Sequence, residues 1–268
     1  MRPYAITEKN IGDTPLQALE VFRTADPALV GVPLTYAGRL DPMASGKLLI
    51  LIGNECKKRK QYDGLDKEYE FEVLLGFRSD TGDVLGLAET CGEAPEVSEK
   101  EIRDAVRSCL GEYRSPYPAF SSKTVGGVPI FHHAIKNTLV EIDIPMVSGT
   151  IHQIIFLGTR TVPRDELVEK ISAKINLLHV DETDPRVGSG FRKSEISARW
   201  NILRFGTPRN FTIVKFRVVV SSGTYIRTLA PSIAEKLGTC GLAYSIHRTK
   251  IGRYFSLTKH FGFWRGTF

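Results

Sequence analysis

No apolar run in this 268-residue chain approaches the roughly 20 residues that a bilayer-spanning helix needs, which excludes a transmembrane helix. The stretch from Met1 to Lys9 likewise lacks the long apolar segment of a secretory leader. Cysteine is scarce: Cys56, Cys91, Cys109 and Cys240 are scattered, with no C-x-x-C spacing, so neither a zinc knuckle nor a disulfide framework is indicated. These absences lead to the expectation of a cytoplasmic protein with reduced thiols. Long low-complexity segments and tandem repeats are missing too, which removes solenoids and extended linkers. There is no acidic excess: 36 Lys and Arg against 30 Asp and Glu give a formal charge of +6 and a pI near 9.1. That modest basic balance leans towards a polyanionic partner, although a merely soluble basic protein has the same composition. What remains is ordinary globular material, 42% hydrophobic and 25% charged, enough for one large or two modest domains.

The stretch from Thr35 to Leu48 stands out. It is a glycine-bracketed loop with one carboxylate, Asp41, followed by the apolar run Leu48 to Ile52. Pro42 removes a backbone donor and pushes Asp41 towards an extended conformation. Gly38 and Gly46 permit positive φ or the close approach of another backbone. Read this way, Asp41 sits on a stiffened loop at the mouth of a buried strand. Read alone, the same Asp-Pro pair also fits a helix N-cap and first helical residue.

Along the chain, Thr14-Pro15 predicts the start of a helix running to about Thr24. Lys57-Lys58-Arg59-Lys60 is either a solvated face or an edge that meets phosphates. Tyr69 to Leu75 alternates apolar and acidic residues, the pattern of a half-buried strand. The Gly76 to Gly86 segment reads as an Asp- and Gly-rich turn: its carboxylates suit Asx-type turns at least as well as acid–base or metal chemistry, and the spacing is not that of an EF-hand. Ser98 with Glu101 forms a capping box for a helix through Ile102 and Val106. Val125-Gly126-Gly127-Val128 is a hairpin candidate. His132-His133 has no third ligand at a telling spacing and reads as a loop pair.

Pro163 opens a helix carrying Leu167, Val168, Ile171, Ile175 and Leu178 at helical spacing. Gly158 to Phe205 around it has its own composition and reads as an inserted subdomain. Gly188-Ser189-Gly190 within it is too sparse for a phosphate loop. Phe211 to Val220 is the strongest strand pattern in the chain. It leads through Ser221-Ser222-Gly223-Thr224-Tyr225-Ile226-Arg227 into a helix, a place where site residues commonly collect. The plainer alternative makes Tyr225 a core residue and Arg227 a partner for a surface carboxylate.

Taken together, the ordered segments Gly38 to Leu48, Lys67-Glu68-Tyr69 with Ser79 to Asp83, Tyr117 to Gly127, and Ser221 to Arg227 with Arg248-Thr249-x-x-Gly252 resemble the TruB family of tRNA pseudouridine synthases. Lys9-x-x-Gly12-x-Thr14 is a weaker match to the same family's N-terminal motif. The resemblance implies an α+β catalytic domain built on a mixed, largely antiparallel sheet with flanking helices. It implies isomerisation of a uridine to pseudouridine, at the T-loop uridine of tRNA position 55, by a monomer that binds the T arm and needs no cofactor or metal. Asp41 would be the nucleophile, Arg227 would pair with it and favour its charged form, and Tyr225 would help move a proton. Tyr69 would stack on the flipped base, and Tyr36, Lys9, Lys67 and Asp80 complete the expected substrate-binding set.

The chain departs from the family pattern in four places. Tyr36 stands where the family usually has a histidine, and Ser79 where it has a threonine. The Gly158 to Phe205 region is longer than the usual connection. The sequence stops at Phe268, so a short form without the C-terminal RNA-binding PUA domain is expected. The rival readings are the same chemistry on another tRNA or rRNA uridine, and a non-catalytic RNA-binding or folding module.

Overall fold

Alternation predicts a half-buried strand over the Tyr69 segment. In the computed structural model, which describes residues 2–92, 94–178, 192–205, 209–258 and 261–268, Phe71, Val73 and Leu75 are buried while Glu70 and Glu72 remain partly exposed. In chain order the elements are β1 (Tyr4–Lys9), α1 (Pro15–Thr24), β2 (Leu34–Ala37), β3 (Ala44–Ile52), α2 (Arg59–Asp63), β4 (Asp66–Leu75), β5 (Phe77–Ser79) and β6 (Ala88–Thr90). There follow α3 (Glu99–Arg107), β7 (Gly111–Pro116), β8 (Thr124–Val125), β9 (Val128–Pro129), α4 (Ile130–Ile135), β10 (Met146–Pro163), α5 (Arg164–Asn176) and α6 (Lys193–Arg204). The chain closes with β11 (Asn210–Val220), α7 (Ile226–Lys236), β12 (Gly241–Ser256) and β13 (Gly262–Arg265).

The main sheet runs β1-β3-β12-β4-β11-β10-β7, with β2 added to β3 and β13 to β12. Among the described strands only the β3–β12 pairing is parallel, so the sheet is mixed and largely antiparallel, within an α+β fold. On its open face β4 carries cross-strand ion pairs: Glu70 meets Lys215 at 2.8 Å and Arg217 at 2.7 Å, and Glu72 meets Arg160 at 3.1 Å. At such exposure each contributes at most about 1 kcal/mol, so the buried face holds the sheet. There Phe71 packs on Phe216, and Ile226, Leu229 and Ile233 of α7 sit inside, each worth about 2 kcal/mol of burial.

The capping signals resolve as expected. Thr14 and Ser98 both form capping boxes, with Gln17 and Glu101 respectively. The Val125 to Val128 hairpin is present as β8–β9. The Gly158 to Phe205 region does not start as a separate unit. Residues 158–163 continue β10 against β11, from Gly158 opposite Lys215 to Pro163 opposite Asn210, and a bulge between Phe156 and Gly158 breaks the alternation. Helical structure starts at Arg164. The Gly188-Ser189-Gly190 string lies outside the described residues.

One expectation is overturned. Cys91 and Cys240 form a disulfide although 149 residues apart, which corrects the reading of uniformly reduced cysteines. Both approach Gly76, which accepts from the Cys91 N–H at 3.0 Å and donates to the Cys240 carbonyl at 2.9 Å, a meeting that no linear spacing announces. Cys56 and Cys109 are free thiols. No helix among the described residues is long and apolar enough to cross a membrane.

Candidate active site

Asp41 lies in the loop between β2 and β3, and that loop is fixed from several sides. The Ala44 N–H donates back to the Asp41 carbonyl (3.0 Å), so a turn into β3, not a helix, follows the Asp-Pro pair. The Gly38 N–H donates to Asp63 Oδ1 at 2.8 Å, and the Gly12 N–H to the Pro42 carbonyl at 2.9 Å. Gly46, at φ 107°, lies against the Arg248 backbone where a Cβ would collide, so only glycine lets β12 run parallel to β3 here.

Beneath the loop lies Lys9. Its ammonium donates to the carbonyls of Ala44 (2.6 Å), Asn10 (2.8 Å) and Pro42 (3.4 Å), and the side chain is fully buried. Burial lowers its pKa to about 8, against the pull of Asp13 and Asp41. Lys9 therefore anchors the loop from inside and presents no surface to a ligand.

Arg227, the second residue of α7, reaches this loop from the other end of the chain. Its Nε donates to Asp41 Oδ2 at 2.7 Å, Nη1 to the Thr81 carbonyl at 2.8 Å and Nη2 to the Phe120 carbonyl at 3.1 Å. Asp83 Oδ2 stands 3.7 Å from the same Nε. Burial opposes the Arg227 charge, but Asp41 and Asp83 outweigh it and hold its pKa above the usual value. Local sequence makes room for this approach. Pro231 has no N–H, so the Arg227 carbonyl receives no helical bond from that position, and Gly82 (φ 76°) backs directly onto it.

The two carboxylates differ. Asp41 keeps 30% of its side chain exposed, while Asp83 is buried, accepting from Thr81 Oγ1 and the Leu85 N–H at 2.9 Å each. Burial pushes the Asp83 pKa up to about 6, with Arg227 pulling it down. Asp83 belongs to the same Ser79 to Asp83 string that drew attention to Asp80, but the string alone does not say which carboxylate turns inward.

Asp41 opens into a cleft of about 430 Å³ whose walls include Tyr69, Tyr117, Tyr225, Lys67 and Arg248. Tyr225 stands edge-on to Tyr117 at 5.8 Å, and burial, then Asp41, raises its pKa and keeps the phenol protonated at neutral pH. Lys67 borders the cleft, but its ammonium donates to the carbonyls of Leu65 (2.5 Å) and Asp63 (2.8 Å), and burial lowers its pKa to about 8. Arg248 is fully buried. Its Nε donates to the Lys47 carbonyl at 2.7 Å, while Nη1 and Nη2 have no hydrogen-bond partner among the described residues.

The structure thus brings together Asp41, Arg227, Tyr69, Tyr225 and Lys67. Tyr36 lines a second cavity of about 350 Å³ on the other flank of the Asp41 loop, to which Asp41 and Arg227 also contribute, and lies beneath the Arg59 guanidinium at 5.3 Å. Asp80 is not in the cleft wall; it accepts from the Leu87 N–H at 2.8 Å and pairs with Arg192 at 2.7 Å. Among the described residues no group of three or more His, Cys, Asp and Glu side chains is placed to hold a metal, and His132 and His133 lie in α4.

The family model for the N-terminal domain of TruB family pseudouridylate synthases matches residues 33–174, more than half of the chain and the whole segment from the Asp41 loop into α5. The chain is 27% identical over 219 residues to a tRNA pseudouridine synthase B of a Nitratiruptor species, and 29% identical over 220 residues to one of Bacillus anthracis. Each match covers 82% of the chain, which spans 60% and 57% of those relatives. Against a third relative, from Caldicellulosiruptor saccharolyticus, it is 25% identical, covering 94% of the chain and 68% of the relative. In fold, it superposes on a chain of a Cbf5–Nop10–Gar1 complex with a TM-score of 0.54 at 16% identity, over 93% of this chain and 49% of that one.

Proposed function

We propose, from the premise that the chain belongs to the TruB family of pseudouridylate synthases, that it isomerises a uridine of tRNA to pseudouridine, at the T-loop position 55. The observation that carries this reading is the 2.7 Å contact of a buried arginine with a partly open carboxylate in a tyrosine-lined cleft. A uracil inside a folded loop is out of reach of any protein carboxylate, so the nucleotide has to be flipped into the cleft. Tyr69 gives the flipped base an aromatic face there.

In the reaction the N1–C1′ bond breaks, a C5–C1′ bond forms, C5 loses a proton and N1 gains one, so atoms and electrons balance within the substrate. Asp41 acts as the nucleophile that opens the glycosidic bond. Arg227, held on three sides by carbonyls and carboxylate, fixes one Asp41 oxygen and leaves the carboxylate's exposed side towards substrate. The Tyr225 phenol, protonated at rest, acts in relaying the C5 proton. Arg248, fully buried behind the cleft wall, adds positive charge there and presents no surface of its own to the nucleotide.

Mapping pseudouridine in total RNA from cells with and without the protein tests the reading. Loss at position 55 alone is the expected result. Loss confined to another uridine would reassign the substrate, and no loss, together with retained RNA binding, would make the protein a non-catalytic RNA-binding module.

A further inference from the structure

Among the described residues of the segment between β10 and β11, Arg192 reaches the two segments that flank the Asp41–Arg227 pair. Arg192, the residue before α6, has a left-handed backbone (φ 43°, ψ 38°) that non-glycine residues seldom adopt. Its Nη2 pairs with Asp80 Oδ2 at 2.7 Å, and its guanidinium lies 4.6 Å from the centre of the Phe120 ring. These are the two segments that hold Arg227. The Thr81 carbonyl, one residue after Asp80, accepts from Arg227 Nη1, and the Phe120 carbonyl accepts from Nη2. One arginine grips the two segments by their side chains and the other by their carbonyls.

Other contacts of the insertion support the same turn and loop. Trp200 of α6 is fully buried and donates its indole N–H to the Val84 carbonyl at 3.0 Å. The Leu177 carbonyl, at the end of α5, occupies the place where a Cβ on Gly12 would sit, and the Gly12 N–H holds Pro42 beside Asp41.

We propose that Arg192 is a positioning residue for the Asp41–Arg227 pair, stapling the Asp80 turn to the Phe120 segment so that the Arg227 guanidinium keeps a single orientation. The inference rests on the reading of that pair as the reactive centre and assigns the insertion a role inside the enzyme. A planar guanidinium suits this role because it can pair with a carboxylate and stack on a ring at once, which an ammonium does less well.

Two measurements test it. In single-turnover assays at saturating tRNA, Arg192→Ala should slow the chemical step about tenfold while the Kd for tRNA stays within twofold, and Arg192→Lys should fall between that variant and the parent. A rate within twofold of the parent, or a tenfold weaker Kd with an unchanged rate, would overturn the proposal, the latter because Arg192 would then be an RNA contact. The second measurement needs no substrate: hydrogen exchange of the Arg227 Nε–H, followed by NMR and assigned by its loss in Arg227→Lys. Exchange should be at least fivefold faster in Arg192→Ala than in the parent, with Arg192→Lys intermediate; equal exchange in folded protein would overturn the proposal. A parent without turnover on any tRNA would sink the functional reading alone, and the exchange measurement would still decide this one.

Discussion

Two loops present a carboxylate to the same guanidinium, and they do it differently. The Asp41 loop offers an oxygen at 2.7 Å and leaves the carboxylate 30% exposed; the Asp80 to Gly86 turn offers Asp83 at 3.7 Å, buried and already accepting two hydrogen bonds. A carboxylate buried in the fold has no open edge to give a substrate, whereas one pinned by a single strong contact retains a reactive edge. Proximity to the arginine is therefore shared, and accessibility separates the proposed nucleophile from the carboxylate behind it.

The sharpest way to break this contrast is Asp41→Asn, which keeps the volume and removes the proposed nucleophile. Turnover should fall by about a thousandfold or more with RNA binding nearly intact. Single-turnover activity within tenfold of the parent would remove Asp41 from the mechanism. Arg227→Lys keeps the charge but loses the planar fork that serves both loops, and the chemical step should slow by about a hundredfold, the scale expected for a misplaced reactive group. An unchanged rate would mean that the pairing does not matter to the chemistry.

Asp83 makes a prediction about stability against pH. Its carboxyl titrates at the ordinary 3.8 when unfolded and at about 6 when folded, so folding favours the protonated form. That contribution is complete below about pH 4 and is lost as pH rises through 6, on the order of 3 kcal/mol in all. Urea unfolding at several pH values should show the parent losing this much relative to Asp83→Asn between pH 4 and 7. Parallel curves would place the ionising group elsewhere. The smallest effect concerns the cleft that Asp41 shares with Tyr69. Tyr69→Leu should weaken substrate engagement by roughly 1–3 kcal/mol, and Tyr69→Phe by much less, because stacking needs only the ring. Equal losses in rate and affinity would point to the hydroxyl.

Local chemistry made part of this arrangement readable in the sequence. Thr14 and Ser98 announce their helices because a cap is formed by residues three apart, and β4 announces itself because its period is two. The Asp41 loop and the Tyr225 to Arg227 turn stand out from their residues alone, but their meeting could be foreseen only through a family pattern that links them. What stayed hidden is long-range. Lys9 looks like a solvent-facing lysine until three carbonyls converge on it. Asp80 and Asp83 are alike in sequence, and only packing turns one inward and pairs the other with Arg192. The Cys91–Cys240 link depends on Gly76 drawing both strands together.

The position of β12 between β3 and β4 sets the order in which this protein can come into being. During synthesis, β3 and β4 leave the ribosome early with facing edges unpaired, and the strand that fills the gap, residues 241–256, follows only after the 165 residues that separate it from the end of β4. Such sequence-distant pairing folds slowly and leaves open strand edges on the nascent chain, the circumstance in which chaperones are needed. Arg227 emerges just ahead of that closing strand, so sheet closure and assembly of the Asp41–Arg227 pair belong to the same late moment. A nascent chain halted before β12 would carry the Asp41 loop without the strand against which Gly46 is built to lie.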